Sequence, residues 1–567
     1  MNTKRREFLK ASAATGAAVC MRCAHASEGP VLTVGMMSDT HVTTVRSSVE
    51  RSRLALEFFK RRGVGVVAHL GDLADWHYPE AYTYYREALD AVYPPGGRRP
   101  EFLYAFGNHD ALDPARMSGP PANRQTNRYR SFVDMKNRLG IDHGYMDVKD
   151  IAGYPFIIFP ETLEGDITID VYERTIAETC AKFKEGPVFV LVHPPPYQTT
   201  YNSCFQSSQR RRILNRFPRV VSINGHKHAS VKNELCIWQG EFTAIQTSCL
   251  QKWYGLNVGG RIVGKESWGV SIMEIYRDRL VVRRYDLRDG SEYLPGTPWT
   301  IPLPFVPETA PYSGKARARM DRDAVFGADA KVSVEADAVP FSAATVRFPT
   351  VSVPESVLLY RVEIARRSAS GAWTRFAATD VFGDFYERVR DRTGALKCTF
   401  PSAMFDEGEE YRFSAVPVGF FGKESKPIAG IWRAPAKAPV ETVWECGNPM
   451  DELKVTGRAK VVRKGEWYEC GPGEFMLRVP ENVLNRKGRH RFVVDMHTVQ
   501  ENVPCGVVFG VDRAIWASGI ITPVGDSGMM RYVFDAGTDP GKTDQAFKFA
   551  GKGGLRIKFS SLRIDRL

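Results

Sequence analysis

The sequence predicts a layered α/β domain followed by two all-β sandwich domains. In the first half of the chain, short apolar runs alternate with helix-like segments, which is typical of a layered α/β fold. In the second half, alternating apolar and polar residues between turn signals favour strands. Because 567 residues exceed what one hydrophobic core usually supports, several domains are expected on size alone.

Each apolar run of the first domain ends in a group of polar residues. The runs cover residues 32–37, 64–70, 102–106 and 188–192. Their length is that of buried strands, and the segments 49–62 and 79–92 have the pattern of helices that cross between them. The polar groups therefore fall on loops at strand ends, where a rigid sheet can hold side chains that are distant in sequence at fixed positions.

Two proline-rich segments indicate the domain boundaries. Six prolines lie between residues 295 and 311, and a proline-alanine stretch covers residues 434–439. Proline disfavours both helices and central strands. We therefore expect the α/β domain at residues 27–300, a middle domain at 312–436 and a C-terminal domain at 440–567.

The first 26 residues have the features of an export signal. A basic group at residues 4–6 precedes a mildly apolar stretch at 11–21, and a small-residue triplet suggests cleavage near Ala26. The arginine pair and the Phe-Leu-Lys sequence that follows resemble the bacterial twin-arginine signal. The sequence therefore predicts export to the bacterial periplasm or cell surface. The alternatives are a basic, frayed N-terminus and lipoprotein anchoring at Cys20 or Cys23.

Composition and charge argue against disordered, membrane-spanning and nucleic-acid-binding proteins. The chain is 43% hydrophobic and 25% charged, and it has no apolar run long enough to form a transmembrane segment. Residues 1–26 carry a net charge of +4, so the total of +12 falls to +8 without them. No dense basic stripe accompanies this excess, so we expect attraction to anions and no binding of nucleic acid.

Five short polar groups, in one order over about 190 residues, carry most of the functional information. They are Asp39-Thr40-His41, Gly71-Asp72-Leu73-Ala74-Asp75, Gly107-Asn108-His109-Asp110, His193 and Gly225-His226-Lys227-His228. Each group alone indicates little more than a turn, but five of the eleven histidines lie in them. Their oxygen and nitrogen donors, without cysteine, suit manganese, iron, zinc or similar divalent metal ions, and the set is large enough for two ions.

In this order, the five groups resemble the signature of the calcineurin-like metallophosphoesterase superfamily, over about residues 31–290. The resemblance implies a β-sandwich flanked by helices. It also implies that Asp39, His41 and His228 bind one metal ion, that Asn108, His193 and His226 bind a second, and that Asp72 bridges both. By the same resemblance, His109 is the general acid, and Asp75 is the carboxylate that forms a hydrogen bond with it.

The activity that the resemblance implies is hydrolysis of a phosphomonoester or phosphodiester, and the predicted export signal indicates that it takes place outside the cytoplasm. Two cations would polarise the phosphoryl oxygens and supply a metal-bound hydroxide as nucleophile. An alkoxide leaving group needs a proton, which a histidine can give when a carboxylate stabilises its charged form. The alternative is a catalytically silent surface protein that binds metal, phosphate or glycan. The intact pair of His109 and Asp75 favours the enzyme.

Two departures from relatives narrow the expected activity. Asp75 stands where the purple acid phosphatases have a tyrosine, so a ferric-tyrosinate centre is not implied. Trp76 follows, where the protein serine/threonine phosphatases usually have an arginine that binds phosphate. The sequence therefore predicts a phosphoesterase of neither branch, and the substrate depends on loop shape.

A polar insertion between Asp110 and His193 is a candidate cover for the metal cleft. Its candidate substrate contacts are Arg116, Arg124, Arg128, Arg130, His143 and Tyr145. Arginine binds phosphate in a bidentate manner, but it is also common in solvent-facing loops, so both interpretations stay open. His77 is a further candidate, whereas His69 is expected to pack within its strand.

The middle domain resembles a fibronectin type III domain. The resemblance rests on residues 407–416, in which Tyr411 takes the place of the corner tyrosine, and on the turn at 422–427. We expect such a domain to act as a spacer.

The C-terminal domain is expected to be a jelly-roll-like sandwich, ending in the alternating segments 555–559 and 562–565. Trp444, Trp467 and Trp516 leave two interpretations open: a glycan contact, or aromatic side chains that fill the core. Cys446 and Cys470 are the pair that we would test for a disulfide.

Overall fold

The computed structural model describes residues 29–75, 77–111, 121–162, 167–203, 207–257, 260–321, 323–338, 340–368, 370–383, 386–387, 389–484, 487–499, 503, 505–509, 514–515, 520–524, 528–538, 545–551 and 555–567. The predicted export signal at 1–26 lies outside these residues, as do Trp76, Arg116 and Trp516, and for Arg124 only the backbone is described.

Two mixed β-sheets face each other in the first domain. Their strands are β1 (Leu32–Met37), β2 (Val66–His69), β3 (Glu101–Tyr104), β4 (Asp147–Ile151), β5 (Tyr154–Ile158), β6 (Val188–Leu191), β7 (Val220–Asn224), β8 (Ile237–Gln239), β9 (Thr243–Gln246), β12 (Gly269–Ile275), β13 (Arg279–Asp286), β14 (Ser291–Glu292) and β15 (Trp299–Pro302), and a separate hairpin pairs β10 (Lys252–Asn257) with β11 (Gly260–Glu266). One sheet has the order β14-β13-β12-β1-β2-β3, with β15 on β13, and the other has the order β4-β5-β6-β7-β9-β8. The first sheet extends to Pro302, past the predicted boundary at residue 300.

Helices cover the outer faces of both sheets. They are α1 (Glu50–Arg62), α2 (Pro79–Val92), α3 (Pro121–Leu139), α4 (Ile169–Lys182) and α5 (Ser208–Leu214). Side chains such as Met36 and Phe189 fill the core between the sheets. Leu56 and Tyr85 pack on the outside of one sheet, and Tyr172 packs on the outside of the other. The predicted β-sandwich flanked by helices is confirmed.

The strand arrangement brings the polar groups to one edge. Strands β1, β2 and β3 are parallel neighbours in one sheet, and β5, β6, β7 and β9 are parallel neighbours in the other. Most residues of these strands are buried, and β6, which is buried throughout, is a continuous apolar run.

The middle part of the chain forms two packed antiparallel sheets. Its elements are α6 (Gly314–Ala318), β16 (Ser333–Ala336), β17 (Ala343–Pro349), β18 (Val357–Arg367), β19 (Trp373–Phe382), β20 (Ala395–Pro401), β21 (Glu410–Gly419) and β22 (Ile428–Arg433). The sheets have the orders β16-β17-β20 and β19-β18-β21-β22. The hydroxyl of Tyr411 accepts a hydrogen bond from the backbone N–H of Asp406 at 2.6 Å, the upstream contact that a corner tyrosine makes.

The last part of the chain is a second all-β sandwich, as predicted. Its elements are β23 (Glu441–Cys446), α7 (Pro449–Glu452), β24 (Val455–Gly457), β25 (Val461–Lys464), β26 (Trp467–Cys470), β27 (Gly473–Arg478), β28 (Gly488–Thr498), β29 (Cys505–Phe509), β30 (Ala514–Ile515), β31 (Ile520–Val524), β32 (Met529–Thr538), β33 (Gln545–Gly551) and β34 (Leu555–Arg566). The sheets have the orders β25-β26-β34-β28-β32-β31, with β23 on β34, and β24-β27-β33-β29-β30.

Two smaller expectations for this domain have different outcomes. Trp444 packs against the core, and Trp467 lies under the guanidinium of Arg556 at 5.1 Å, so the glycan contact stays a prediction. Cys446 and Cys470 are free thiols. Cys446 lies opposite Leu562 and Cys470 lies opposite Leu555, and both leucines belong to strand β34. Residues 555 and 562 of a strand are on the order of 20 Å apart, so the two cysteines are too far apart for a disulfide.

Among the described helices, none combines the length and the apolar character that crossing a bilayer requires.

Candidate metal centre

The seven predicted metal ligands lie in loops at the carboxyl ends of five strands. Asp39 and His41 follow β1, Asp72 follows β2, Asn108 follows β3, His193 follows β6, and His226 and His228 follow β7. These ends meet at one edge of the sandwich. The structure brings six of the side chains together there, Asp39, His41, Asp72, His193, His226 and His228.

Five of these residues have a left-handed backbone conformation. The φ angles of Asp39, His41, Asp72, His226 and His228 lie between 43° and 72°. A residue with a Cβ atom adopts this conformation at a conformational cost, and the conformation persists only where the surroundings hold it. The concentration of such residues in these loops marks the edge as a functional site.

The first cluster contains one carboxylate and two imidazoles. Asp39 Oδ1 lies 3.3 Å from His228 Nε2 and 3.9 Å from His41 Nε2. The two Nε2 atoms are 3.1 Å apart. Asp39, His41 and His228 are all buried, and their ligand atoms lie within 4.8 Å of one another. These three donors therefore converge on one point.

The second cluster lies on the other side of Asp72. Asp72 Oδ2 is 3.0 Å from His193 Nε2, which is 3.3 Å from His226 Nδ1. The same Asp72 oxygen is 3.8 Å from His41 Nε2 in the first cluster. Asp72 is thus the carboxylate that faces both clusters, in the position from which one side chain can bridge two ions.

Two buried oxygens in the clusters accept no hydrogen bond from the described residues. They are Asp39 Oδ1 and Asn108 Oδ1. Buried polar atoms are rarely left unpaired, so these oxygens require another partner. Because Asp39 Oδ1 faces the imidazole nitrogens of His41, His193 and His228, the residues present fit divalent cations.

Contacts behind the ligands fix their orientation. His193 Nδ1 lies 2.6 Å from the carbonyl of Leu70, which holds a proton on Nδ1 and leaves Nε2 as the nitrogen that faces Asp72. Asp39 Oδ2 accepts the backbone N–H of His226 at 2.9 Å, and Asp72 Oδ1 accepts that of His109 at 2.8 Å. Each carboxylate therefore keeps its other oxygen for the cluster.

The charges of the clusters compensate one another. Burial opposes the ionisation of Asp72, but the neighbouring His193 and His41 outweigh it and hold the pKa of Asp72 well below its usual range. Burial likewise opposes protonation of His193, but Asp72 outweighs it and raises the pKa of His193. Burial and the His193 charge lower the pKa of His226 to about 3. Cations that occupied the clusters would replace the His193 proton, so metal binding is expected to release protons.

The predicted acid lies beside the first cluster. His109 Nδ1 is 3.0 Å from Asp75 Oδ1, and the His109 ring is 4.6 Å from that of His41 in an edge-on contact. Burial opposes protonation of His109, but the hydrogen bond to Asp75 and the charges of Asp72 and Asp75 raise its pKa. Asp75 Oδ1 also lies 3.4 Å from His41 Nδ1, a contact that the sequence did not predict.

Comparison with known proteins agrees with this geometry. Residues 32–230 match the family model described as calcineurin-like phosphoesterase. This part of the chain is a calcineurin-like phosphoesterase domain. The chain has no significant match among curated protein sequences.

Several solved structures are similar to parts of this chain at low identity. A dimetal phosphatase from Danio rerio is 14% identical, with a TM-score of 0.31 over 45% of this chain and 95% of its own. A purple acid phosphatase from yellow lupin (Lupinus luteus) seeds is 12% identical, with a TM-score of 0.33 over 49% of this chain and 55% of its own. The third fibronectin III domain of a human protein is 13% identical, with a TM-score of 0.16 over 21% of this chain and 88% of its own.

Asp110 is a site residue of the phosphoesterase domain to which the sequence assigned no role. It is fully buried, and its two oxygens accept the backbone N–H groups of Ala74 at 2.9 Å and Gly107 at 3.0 Å. It therefore ties the Asp72 loop to the Asn108 loop. Gly107 is required there, because a Cβ atom on it would lie 2.2 Å from Asp72 Oδ1. The only signal in the sequence was their place in the third polar group.

In the insertion of the phosphoesterase domain, Arg128 contacts the loop that follows β5. Its Nη1 donates to Thr162 Oγ1 at 2.5 Å and lies 3.9 Å from Glu161 Oε2. The charge of Glu161 contributes to the raised pKa of His193, and no pattern in the sequence pointed to this residue.

Other histidines near the site have structural contacts. His69 is buried and lies 3.1 Å from Thr40 Oγ1, as expected of a residue packed in its strand. His143 Nε2 accepts the backbone N–H of Tyr104 at 3.1 Å. His77 Nδ1 lies 2.9 Å from the hydroxyl of Tyr82.

Proposed function

We propose that the phosphoesterase domain hydrolyses a phosphoric ester with two divalent metal ions. The observation that carries the proposal is the position of Asp72 between two buried clusters of nitrogen and oxygen donors. Asp39, His41 and His228 would hold one ion, Asn108, His193 and His226 would hold the other, and Asp72 would contact both.

When bound, such a pair of ions polarises the phosphoryl oxygens and activates a water molecule for attack on phosphorus. The protein keeps the ligands in place: the carbonyl of Leu70 orients His193, and backbone N–H groups orient Asp39 and Asp72. This fixed arrangement is what a rigid sheet edge supplies to a reaction that depends on charge stabilisation.

His109 completes the reaction as the proton donor. Its Nδ1 faces Asp75 at 3.0 Å, so Nε2 is the atom that carries a proton to the leaving oxygen. Asp75 stabilises the charged imidazole and fixes the orientation of the ring, because its carboxylate accepts the Nδ1 hydrogen bond. A silent binding protein would have no use for this pair, which supports the enzyme.

The proposal is tested by hydrolysis of matched chromogenic phosphomonoesters and phosphodiesters by the full chain, loaded in turn with manganese, iron or zinc. We expect turnover that is lost in Asp72→Ala and His109→Ala and kept in Asp278→Ala, whose side chain is 70% exposed. Two tightly bound ions without turnover of any ester would favour the silent metal- or phosphate-binding protein.

We further propose that the chain is exported through residues 1–26, on the sequence pattern alone. Replacement of Arg5 and Arg6 by lysine tests this in a bacterial host with a twin-arginine pathway. The parent chain should be recovered from the periplasm, cleaved near Ala26, and the variant should stay in the cytoplasm. Equal export of both would contradict the proposal.

A further inference from the structure

The loop that follows His228 is buried against the middle domain. Residues 229–236, here called the 229–236 loop, begin directly after this ligand, and most of them are buried. Lys232 is 7% exposed, and its Nζ donates to the backbone carbonyl of Glu387, in the middle domain, at 2.6 Å. A buried ammonium group needs such partners, so this contact fixes the position of the loop on the middle domain.

An apolar cluster spans the same interface. Tyr386 and Phe420 of the middle domain are 7% and 6% exposed, and they pack with the fully buried Cys249 of the phosphoesterase domain. Leu235, from the 229–236 loop, packs against this cluster. The middle domain therefore touches both the 229–236 loop and the segment around Cys249.

The segment 248–250 connects this cluster with two metal-ligand loops. Ser248 Oγ donates to the carbonyl of Ala229, the residue after His228, at 3.0 Å. The backbone N–H of Leu250 lies 3.1 Å from the carbonyl of Ser38 and 3.3 Å from that of Asp39. Cys249 is thus covered by the middle domain on one side, and its two neighbours hold the backbone at both ligands on the other.

We propose that the middle domain is a structural part of the metal centre: through Tyr386, Phe420 and the Glu387 carbonyl, it holds Asp39 and His228 where they bind one ion. Asp39 and His228 have left-handed backbones, with φ angles of 52° and 44°, which persist only where neighbouring structure holds them. The inference rests on the metal site of the proposed function, but it does not depend on turnover. It replaces the expected spacer role with a positioning role.

The test measures metal binding rather than activity. Phe420→Ala and Lys232→Met are prepared in the full chain, and Mn²⁺ affinity is measured by competition with a chelator of known affinity. Loss of an outer contact to a metal ligand typically weakens metal binding 10- to 100-fold, so we expect one of two ions to bind at least about tenfold more weakly. Anomalous scattering from Mn²⁺-soaked crystals should show reduced occupancy beside Asp39 and His228, and unchanged occupancy beside Asn108 and His193.

Phe348→Ala is the matched control, because Phe348 lies in the middle domain's own core, away from the interface. It should lower the thermal stability of the domain without changing either ion's affinity. If Phe420→Ala does not fold, Lys232→Met decides the question. Wild-type affinity for both ions in the interface variants would overturn the proposal. An equal loss of metal affinity in Phe348→Ala and in the interface variants would overturn it as well. If the interface variants show the expected loss of metal affinity but the wild type hydrolyses no ester, this proposal is supported and the proposed function is wrong.

Discussion

One oxygen of Asp75 contacts two imidazoles. Its Oδ1 lies 3.0 Å from Nδ1 of His109 and 3.4 Å from Nδ1 of His41. A carboxylate behind a ligating histidine fixes its orientation and raises its basicity, in the same way as it stabilises a protonated acid. Asp75 therefore links the proposed proton donor, His109, to the first cluster.

We expect Asp75→Asn to impair both metal binding and turnover. Affinity for one ion should fall about tenfold, because the amide supports His41 less well than the carboxylate does. His109→Gln should leave both ions bound with unchanged affinity, because His109 is not among the proposed ligands. Chelator competition on the two variants checks this prediction. Unchanged metal affinity in Asp75→Asn would show that the 3.4 Å contact has no role.

Replacement of the acid should affect poor leaving groups most. His109→Gln removes the proton donor, and general acid catalysis typically contributes about 10²- to 10⁴-fold. An alkyl ester should lose this full factor, whereas a p-nitrophenyl ester, whose leaving group needs no proton, should lose much less. Rates for a series of leaving groups give the comparison. Equal losses across the series would exclude His109 as the proton donor.

The sequence predicted residue types at the site but not how they share contacts. Six of the seven predicted ligands, all but Asn108, lie in the donor groups that the structure brings together, and His109 lies beside Asp75 as predicted. Their left-handed backbones and the contact of Asp75 with His41 depend on how distant loops pack. Neither has a periodic pattern in the sequence, so neither could be predicted.

At the scale of elements, α3 brings an arginine towards the site. Arg128 lies beside Glu161, in the loop after β5, and the carbonyl of Glu161 is in turn held by Arg210. Arg128 Nε and Glu161 Oε2 are buried and have no hydrogen-bond partner among the described residues. The charge of Glu161 contributes to the raised pKa of His193. We infer that the Arg128 Nε–H is available to an anionic group near the second cluster.

We expect Arg128→Met to weaken substrate binding. If the guanidinium binds a phosphoryl or neighbouring anionic oxygen, KM should rise about tenfold while kcat changes little, as for loss of binding that is equal in ground and transition states. Arg128→Lys should recover only part of this, since lysine lacks the bidentate fork. Arg130→Met, exposed on the same helix, is the control. An unchanged KM in Arg128→Met would show that Arg128 does not bind substrate and only holds α3 in place.

A buried charged network joins three other elements. Glu234, in the 229–236 loop, contacts Arg284 of β13 at 2.7 Å, Trp299 Nε1 of β15 at 2.9 Å and Arg317 of α6 at 3.3 Å. The side chains of both arginines are at most 6% exposed. Burial opposes ionisation of Glu234, but these arginines and Trp299 lower its pKa.

Glu234→Gln should destabilise the protein in a pH-dependent manner. Leaving buried arginines without their carboxylate costs about 3 kcal/mol or more of unfolding free energy at pH 7. Because the folded pKa of Glu234 lies below its ordinary value, this stabilisation is present above about pH 4.5 and is lost as the pH falls through the folded pKa. The difference between wild type and variant in denaturant unfolding should therefore shrink in acid. A constant difference would contradict this account.

Helices and strands with a strongly periodic apolar pattern could be predicted from the sequence. The side-chain contacts between these elements could not. The expected helices at 49–62 and 79–92 correspond to Glu50–Arg62 and Pro79–Val92, and the expected strand at 32–37 is Leu32–Met37. The expected segments 555–559 and 562–565 form one continuous strand, β34. The network around Glu234 draws on single polar residues from separate elements, which leave no pattern along the chain.

At the scale of the whole molecule, the middle domain is held from both sides. On one side it packs against the phosphoesterase domain through Tyr386 and Phe420. On the other, Arg491 of the C-terminal domain is 1% exposed, pairs with Asp535, and donates to the carbonyl of Ser342 at 3.1 Å. Proline-rich segments indicated where one domain ends, but isolated interface residues gave no signal that the domains pack together.

Metal removal should therefore change local stability in the middle domain as well as in the phosphoesterase domain. Ions that bind only the folded state add about 4 kcal/mol to the free energy of unfolding when free metal exceeds Kd 1,000-fold. A chelator should lower the Tm of the wild type and leave that of Asp72→Ala unchanged. Because Cys249 joins the Asp39 loop to Phe420, chelation should also increase amide hydrogen exchange at residues 229–236 and around Phe420, while the β28 strand keeps its protection. If exchange rose only in the ligand loops, metal binding and the domain interface would be energetically independent, because a coupled interface must loosen when its ligand loops do.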